Sequence, residues 1–271
     1  MTLVQEVDGE MKTVVRSPEP FFYPEGKTGI LLIHGFSGTP SELRPMGEYF
    51  KSRGFTVYAP LLPGHGTSPE DMEKTGWKDW WQAVLDAHDR MMREDLDHLF
   101  VAGLSMGGVL SLMLAAERPV HGVISMCAPV WIRDRRAFLA DLVKYVYRFK
   151  PRSVHRDPEI EAHLVPYDRT PVKCVGELLR LIRRMKKKLP EVKVPALVVQ
   201  AARDELILEK SAHYILDHLG SSEKRLKWYE KSTHIITVDK ERMKLFRDVE
   251  AFVRTVTGSG EPRIGLNVKE R

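Results

Sequence analysis

The stretch Leu99-Phe100-Val101-Ala102-Gly103-Leu104-Ser105-Met106-Gly107-Gly108, with Val109-Leu110-Ser111-Leu112-Met113-Leu114-Ala115-Ala116 behind it, decides how this chain is read. An apolar run of strand type closes on a glycine, a serine stands between glycines as Gly103-x-Ser105-x-Gly107, and an apolar run of helical length follows at once. A strand, a very sharp turn and a buried helix fit that order. Such a turn holds its serine in a strained backbone conformation, so glycines must flank it where a Cβ would collide. The strain lifts the Ser105 hydroxyl clear of the sheet edge, and the helix N-terminus beneath it favours developing negative charge. Ser105 is therefore the candidate nucleophile. A bare G-x-S-x-G also arises by chance, so a base, an acid and an oxyanion donor must occur where this architecture needs them.

Composition narrows the class. The chain has 271 residues, 43% hydrophobic and 29% charged, enough for one large domain or two small ones with a substantial core. A net charge of +5 is a small excess at this length, and no nucleic-acid-binding motif accompanies it, so no nucleic-acid partner is expected. The two cysteines, Cys127 and Cys174, stand in no metal-ligand spacing, and Cys127 ends the apolar run Val123-Ile124-Ser125-Met126-Cys127, as a buried free thiol would. Met1 to Ser17 lacks a signal-peptide core, and no apolar run approaches the ~20 residues of a membrane span. A cytoplasmic protein without stable membrane insertion is expected.

Outward from the elbow, Gly29-Ile30-Leu31-Leu32-Ile33 is a continuous apolar run of the kind a parallel sheet covers on both faces, and it ends in His34-Gly35-Phe36-Ser37-Gly38. A helix over 41–53, a strand over 55–59, the turn-rich Pro63-Gly64-His65-Gly66 and a long helix over 77–96 follow, and a strand over 122–127 comes after the elbow helix. This alternation predicts an α/β fold with a mostly parallel, doubly wound sheet. From Val130 to Pro190 the rhythm breaks into a helical, basic pattern with no strand. One apolar stripe there is Trp131, Phe138, Leu139, Leu142, Val143, Tyr145 and Val146; another is Leu178, Leu179, Ile182, Met185 and Leu189. The stretch reads as a small helical cap inserted after the strand that follows the elbow. Strands over 195–202 and 225–229, a helix over 209–219 and a last helix over 239–256 resume the rhythm. The expected organisation is an arm over 1–17, a core over 18–129 and 191–257, the cap over 130–190, and a solvated tail of disordered composition over 258–271.

A serine hydroxyl needs a base to take its proton and an acid to orient that base. Of the ten histidines, His88, His213 and His218 fall on helices of surface type, His121 starts a strand, and His155 and His163 lie in the insertion. His234 sits in a short loop between the final strand and the final helix, on the sheet edge where ligands bind and where Ser105 also lies. It is the candidate base. Asp204, directly after a strand on the same edge, is the candidate acid; Glu205 is its nearest rival, and Asp239 is placed inside the last helix. The order Ser, Asp, His is that of an α/β-hydrolase fold. The N–H of Met106, next to the nucleophile, supplies one oxyanion donor, and the N–H of Phe36, in the loop after the first core strand, supplies the second, with the Phe36 ring walling the acyl pocket. His34 and His65 read as structural. An apolar cap suits an acyl chain, with Leu139, Leu142, Val143 and Ile182 as candidate lining.

Several blocks carry a family resemblance. His34-Gly35-Phe36-Ser37-Gly38, Pro63-Gly64-His65-Gly66, Asp79-Trp80-Trp81, Gly103-Leu104-Ser105-Met106-Gly107-Gly108, Met126-Cys127-Ala128-Pro129, the run from Val198 to Glu205 and the run from Lys227 to His234 together resemble the small bacterial thermostable carboxylesterases and monoacylglycerol lipases. The resemblance covers about residues 18–256. It implies triad roles for Ser105, Asp204 and His234, oxyanion donors at Phe36 and Met106, a small helical cap, no cofactor, and an ester or monoacylglycerol as substrate. Met106 stands where a leucine is usual, and the arm and tail are longer. The cap carries the least of the resemblance, so substrate range is the weakest of the expectations it implies.

Overall fold

The continuous apolar runs become the inner strands of one sheet in the computed structural model, which describes residues 2–7, 10–154 and 156–258. The chain opens with β1 (Thr2–Val7) and β2 (Glu10–Val15), paired antiparallel, followed by β3 (Phe21–Tyr23) and β4 (Thr28–Ile33). A 3-10 turn over Pro40–Leu43 leads into α1 (Arg44–Lys51), then β5 (Thr56–Ala59), α2 (Pro69–Glu73) and α3 (Trp77–Met91). The elbow pair, β6 (His98–Leu104) and α4 (Met106–Glu117), precedes β7 (Gly122–Met126). The 130–190 stretch holds α5 (Ala140–Val143), β8 (Phe149–Pro151), α6 (Pro158–Glu161), β9 (Arg169–Pro171) and α7 (Val172–Lys188). β10 (Ala196–Ala201), α8 (Lys210–His218), β11 (Lys224–Tyr229) and α9 (Arg242–Val256) follow.

Among the described residues the main sheet has seven strands in the order β11-β10-β7-β6-β4-β5-β3, all parallel except the β3–β5 pair. β7 and β10 are buried along their whole length, because helices cover both faces. On one face α3, α4 and α7 bring Trp80, Val84, Leu110, Met113, Leu181 and Met185 into a single cluster. On the other, α1 and α9 bring Met46, Phe50, Leu245, Phe246 and Val249. α4 is apolar all round and buried from Met106 to Ala115, as a core helix must be. Each such side chain stabilises the fold by about 1.5–3 kcal/mol relative to exposure. Among the described residues no helix is long and apolar enough to cross a membrane.

Some expectations change. The polar arm contains the β1–β2 pair, and the start of the core adds the edge strand β3, where valines, threonines and aromatics favour extended backbone despite the interspersed charges. The 130–190 stretch is not purely helical: β8 and β9 pair antiparallel there, each three residues long and ending in proline, too short to give a periodic signal. Its first apolar stripe folds only into a 3-10 turn (Arg135–Leu139) and the four-residue α5. The helix expected over 77–96 ends at Met91. Residues 259–271 of the expected tail, and His155, lie outside the described residues.

Candidate active site

Ser105 stands between the last residue of β6 and the first of α4, at φ 54° and ψ −118°. A positive φ is costly for a residue with a Cβ and persists only where the surroundings impose it. Here Ser105 N–H donates to Met126 O at 2.8 Å and Ser105 O accepts from Val109 N–H at 3.2 Å, so both sides of the turn are tied. The flanking glycines are required by close approach: a Cβ on Gly103 would strike the Gly107 carbonyl, and one on Gly107 the Ile33 carbonyl. Ser105 itself is 9% exposed. Its Oγ has no hydrogen-bond partner among the described residues, and nucleophile–base contacts in free enzymes commonly tighten only around the reacting group.

Asp204 and His234 meet because β10 and β11 are parallel neighbours with Ala201 opposite Tyr229, so the loops leaving them emerge side by side. Asp204 Oδ1 accepts the N–H groups of Leu206 and Ile207 at 2.9 and 2.8 Å, and Oδ2 accepts Gln200 Nε2 at 3.1 Å. Oδ2 also accepts His234 Nδ1–H at 2.8 Å, with both side chains buried. That bond places the proton of the neutral ring on Nδ1 and leaves Nε2 as the basic nitrogen. Burial pushes the His234 pKa down, but the Asp204 charge and hydrogen bond, helped by Glu205, outweigh it and hold the imidazole above its ordinary range. Burial likewise pushes the Asp204 carboxyl up, and the His234 charge with the three N–H bonds brings it below the usual carboxylate value. Cys127, at φ 49° and buried, completes a group in which thiol, carboxylate and imidazole ligand atoms lie within 4.8 Å of one another. A metal held there would displace the Nδ1 proton and break the Asp204–His234 bond.

The loop after β4 lies against the serine. A Cβ on Gly35 would stand 3.4 Å from the Ser105 Cβ. Among the described residues neither Phe36 N–H nor Met106 N–H has an acceptor, so both remain able to donate. His34 fixes this loop: its Nε2 accepts Leu62 N–H at 3.0 Å and its Nδ1–H donates to Gly35 O at 2.9 Å. Burial, then the neighbouring His65, lowers the His34 pKa well below its ordinary value, and burial lowers His65 to about 4. Both are neutral struts, with the His65 ring set against His34 and Trp80. His88, expected on a surface, is buried with Nε2 bonded to Pro119 O at 2.9 Å.

Two residues around the site, Glu42 and Arg156, were not singled out by sequence, and two that were, Asp239 and Glu205, take places other than those considered for them. Glu42 Oε1 accepts Gly35 N–H at 2.7 Å, and burial raises its pKa to about 7; its spacing of four and seven from Met46 and Tyr49 was the available sign of an inward face. Asp239 is not inside the last helix but precedes it, accepting both Thr233 N–H and Thr233 Oγ–H at 2.6 Å. Glu205, the rival acid, pairs instead with Arg156 beside His234, and Arg156 has no motif-level signal. The cap candidates do not form one lining: Leu139 and Leu142 are 52% and 74% exposed, Val143 is half-buried, and Ile182 at 3% is packed in the core cluster that includes Met106. Phe36 packs edge-on against Trp80 at 5.8 Å. The open cleft of about 340 Å³ bounded by Lys74, Trp77, Lys173, Glu177 and Arg180 contains none of the candidate catalytic groups.

A parallel sheet of this order, with a strained serine elbow and an Asp–His pair on one edge, defines an α/β hydrolase. A family model described as serine aminopeptidase, S33, matches residues 24–241, and the chain belongs to that family of serine hydrolases. It is 35% identical over 243 residues to the carboxylesterase of Bacillus subtilis (strain 168), covering 90% of this chain and 98% of the relative. It is 33% identical over 250 residues to the thermostable monoacylglycerol lipase of Bacillus sp. (strain H-257), with the same shares covered. A solved structure described for the metagenome-derived lipolytic enzymes LipS and LipT superposes with a TM-score of 0.82 at 31% identity, over 89% of this chain and 99% of that one.

Proposed function

We propose that this hydrolase cleaves carboxylic esters of short to medium acyl chain, or monoacylglycerols, through an acyl-enzyme intermediate on Ser105, with His234 as base and Asp204 as its orienting acid. The observation that carries this is the buried 2.8 Å His234–Asp204 bond on the same sheet edge as a serine held at φ 54°. Ser105 Oγ attacks the ester carbonyl carbon while His234 Nε2 takes its proton. The imidazolium so formed is stabilised by Asp204, and the tetrahedral oxyanion by the N–H groups of Phe36 and Met106 at the N-terminus of α4. Collapse expels the alcohol with the proton from Nε2. Water, deprotonated by the same nitrogen, then attacks the acyl-enzyme and releases the acid.

The close relatives named carboxylesterase and monoacylglycerol lipase support the ester reading, whereas the family description names a peptidase. We assign the 130–190 stretch as a lid whose outer apolar residues meet lipidic substrate: Phe138, Leu139, Leu142, Tyr145, Val146 and Tyr147 are all more than half exposed. The two buried, unpaired cysteines fit a reducing compartment such as the cytoplasm. The test is turnover of p-nitrophenyl esters of increasing length, monoacylglycerols and an aminoacyl anilide. Esters are expected to turn over and the anilide to lag far behind. Ser105→Ala and His234→Ala are expected to lose on the order of 10⁶-fold in kcat, and Asp204→Asn on the order of 10⁴-fold. Faster cleavage of the anilide than of any ester would replace the reading with a peptidase.

A further inference from the structure

The loop bearing His234 is held by carboxylates at successive points. Lys231 N–H and Ser232 Oγ–H donate to Glu241 Oε2 at 2.9 and 2.8 Å, and Thr233 donates twice to Asp239. His234 N–H itself donates to Glu205 Oε2 at 3.1 Å. Glu241 and Asp239 belong to the chain just beyond the loop and hold it locally. Glu205 is different, because its other oxygen, Oε1, which has no hydrogen-bond partner among the described residues, lies in ion-pair contact with Arg156 Nη2 at 3.0 Å, and Arg156 comes from the 130–190 stretch. The Arg156 side chain is only 11% exposed, and its Nε has no hydrogen-bond partner among the described residues. A cation buried that far, with part of its donor capacity unused, is a stability cost that packing alone does not explain.

We infer that the Arg156–Glu205 ion pair is a positioning device that holds the His234 main chain in register and couples the 130–190 stretch to the acid–base pair. The inference rests on the triad reading above. Arg156 is anchored in its own stretch, where its N–H donates to Glu161 Oε1 at 3.2 Å and the same oxygen accepts Arg152 Nη2. Displacing that stretch pulls on Glu205, and Glu205 holds the main chain of His234, not its ring. The ring stays bonded to Asp204, which Leu206 and Ile207 fix independently. The base is thereby tilted relative to Ser105 without losing its acid. A second tie acts on the acid loop: Arg133 Nε donates to Asp204 O and Arg133 N–H to Leu206 O, both at 2.9 Å. Both ties are made by arginines of the same stretch, so its placement is communicated to base and acid together.

The charged and titratable groups facing His234 are Asp204 and Glu205 from the loop after β10, Arg156 from the 130–190 stretch, Glu42 from the turn before α1, and Cys127 after β7. Glu205 favours the imidazolium and Arg156 opposes it, so removing either moves the acid limb of kcat/KM in opposite directions. Arg156→Gln shifts that limb to higher pH and Glu205→Gln shifts it to lower pH. Each lowers kcat on the order of tenfold while KM stays within about twofold, as small misplacements of a catalytic group do. Arg156→Lys, which keeps the charge, leaves the limb at its wild-type position and recovers part of kcat. Asp157→Asn, next in sequence and paired only at the exposed surface with Lys240 at 3.3 Å, changes neither. The proposal is overturned if both limbs move the same way, or do not move, or if kcat falls only in step with the thermal unfolding midpoint. Ser105→Ala is measured alongside: retained turnover there sinks the triad reading itself, whereas a dead Ser105→Ala with silent Arg156 and Glu205 variants sinks only the coupling.

Discussion

At the scale of single residues, the proposed chemistry depends on two groups whose burial alone would disable them. Burial by itself would drive His234 down and Asp204 up, toward a pair of neutral groups sharing no charge. His234 and then the N–H groups of Ile207 and Leu206 on Asp204, and Asp204 on His234, reverse both tendencies. Because the base acts only when neutral, kcat/KM falls as pH drops through the raised His234 pKa, and the midpoint lies above the ordinary histidine value of about 6.5. A pH–rate profile on a short-chain ester checks this, and a midpoint below pH 6 would mean that Asp204 does not charge-stabilise the ring. Ser105, Asp204 and His234 were visible in the sequence because each follows a recognisable strand, and the structure puts all three at carboxyl ends of parallel strands. Glu42 and Arg156 were not visible, and Glu205 was weighed only as a rival acid. Arg156 and Glu205 meet across 49 positions of chain, and Glu42 faces His234 across 192, and no local pattern encodes such meetings.

At the scale of elements, the elbow was legible because it is dictated by van der Waals contact. Gly107→Ala drives a methyl into the Ile33 carbonyl and is expected to cost more than about 4 kcal/mol, leaving little folded protein. Gly54→Ala is the comparison: φ is +77° but nothing lies within 4 Å, so the cost is the left-handed backbone alone, about 1–2 kcal/mol. Equal unfolding midpoints for the two would show that the elbow relaxes around the methyl. The 130–190 stretch was the least legible element. Apolar spacing identifies a stripe without saying whether protein or solvent covers it, and here Ile182 is core while Leu142 stands out from the surface. Leu142→Asp is therefore expected to leave the unfolding midpoint within about 0.5 kcal/mol of wild type and to lower octanoate-ester turnover more than acetate-ester turnover. Ile182→Asp is expected to destabilise the fold and lower both equally. Equal losses on both esters for Leu142→Asp would remove the stretch from substrate binding.

At the scale of the molecule, the alternation of continuous apolar runs with amphipathic stretches was enough to give the parallel sheet, since only helices on both faces can hide such strands. The strand order was not available from any run, because neighbours such as β4 and β6 are joined across 64 intervening residues. That order has a consequence for how the enzyme fails. β11 is an edge strand, fenced with Lys224, Arg225 and Lys227, and the loop after it carries the proposed base; its partner among the described residues, β10, precedes the proposed acid; the proposed nucleophile is two strands further in, beyond β7. Fraying from this edge on warming therefore removes acid and base as a unit while the elbow and the bulk of the sheet persist. Activity is expected to vanish several degrees before the far-ultraviolet circular dichroism signal, and to return on cooling from that interval. Amides of β11 should also exchange with deuterium earlier than those of β6, giving a heat-set off state in which the serine is intact and merely unattended.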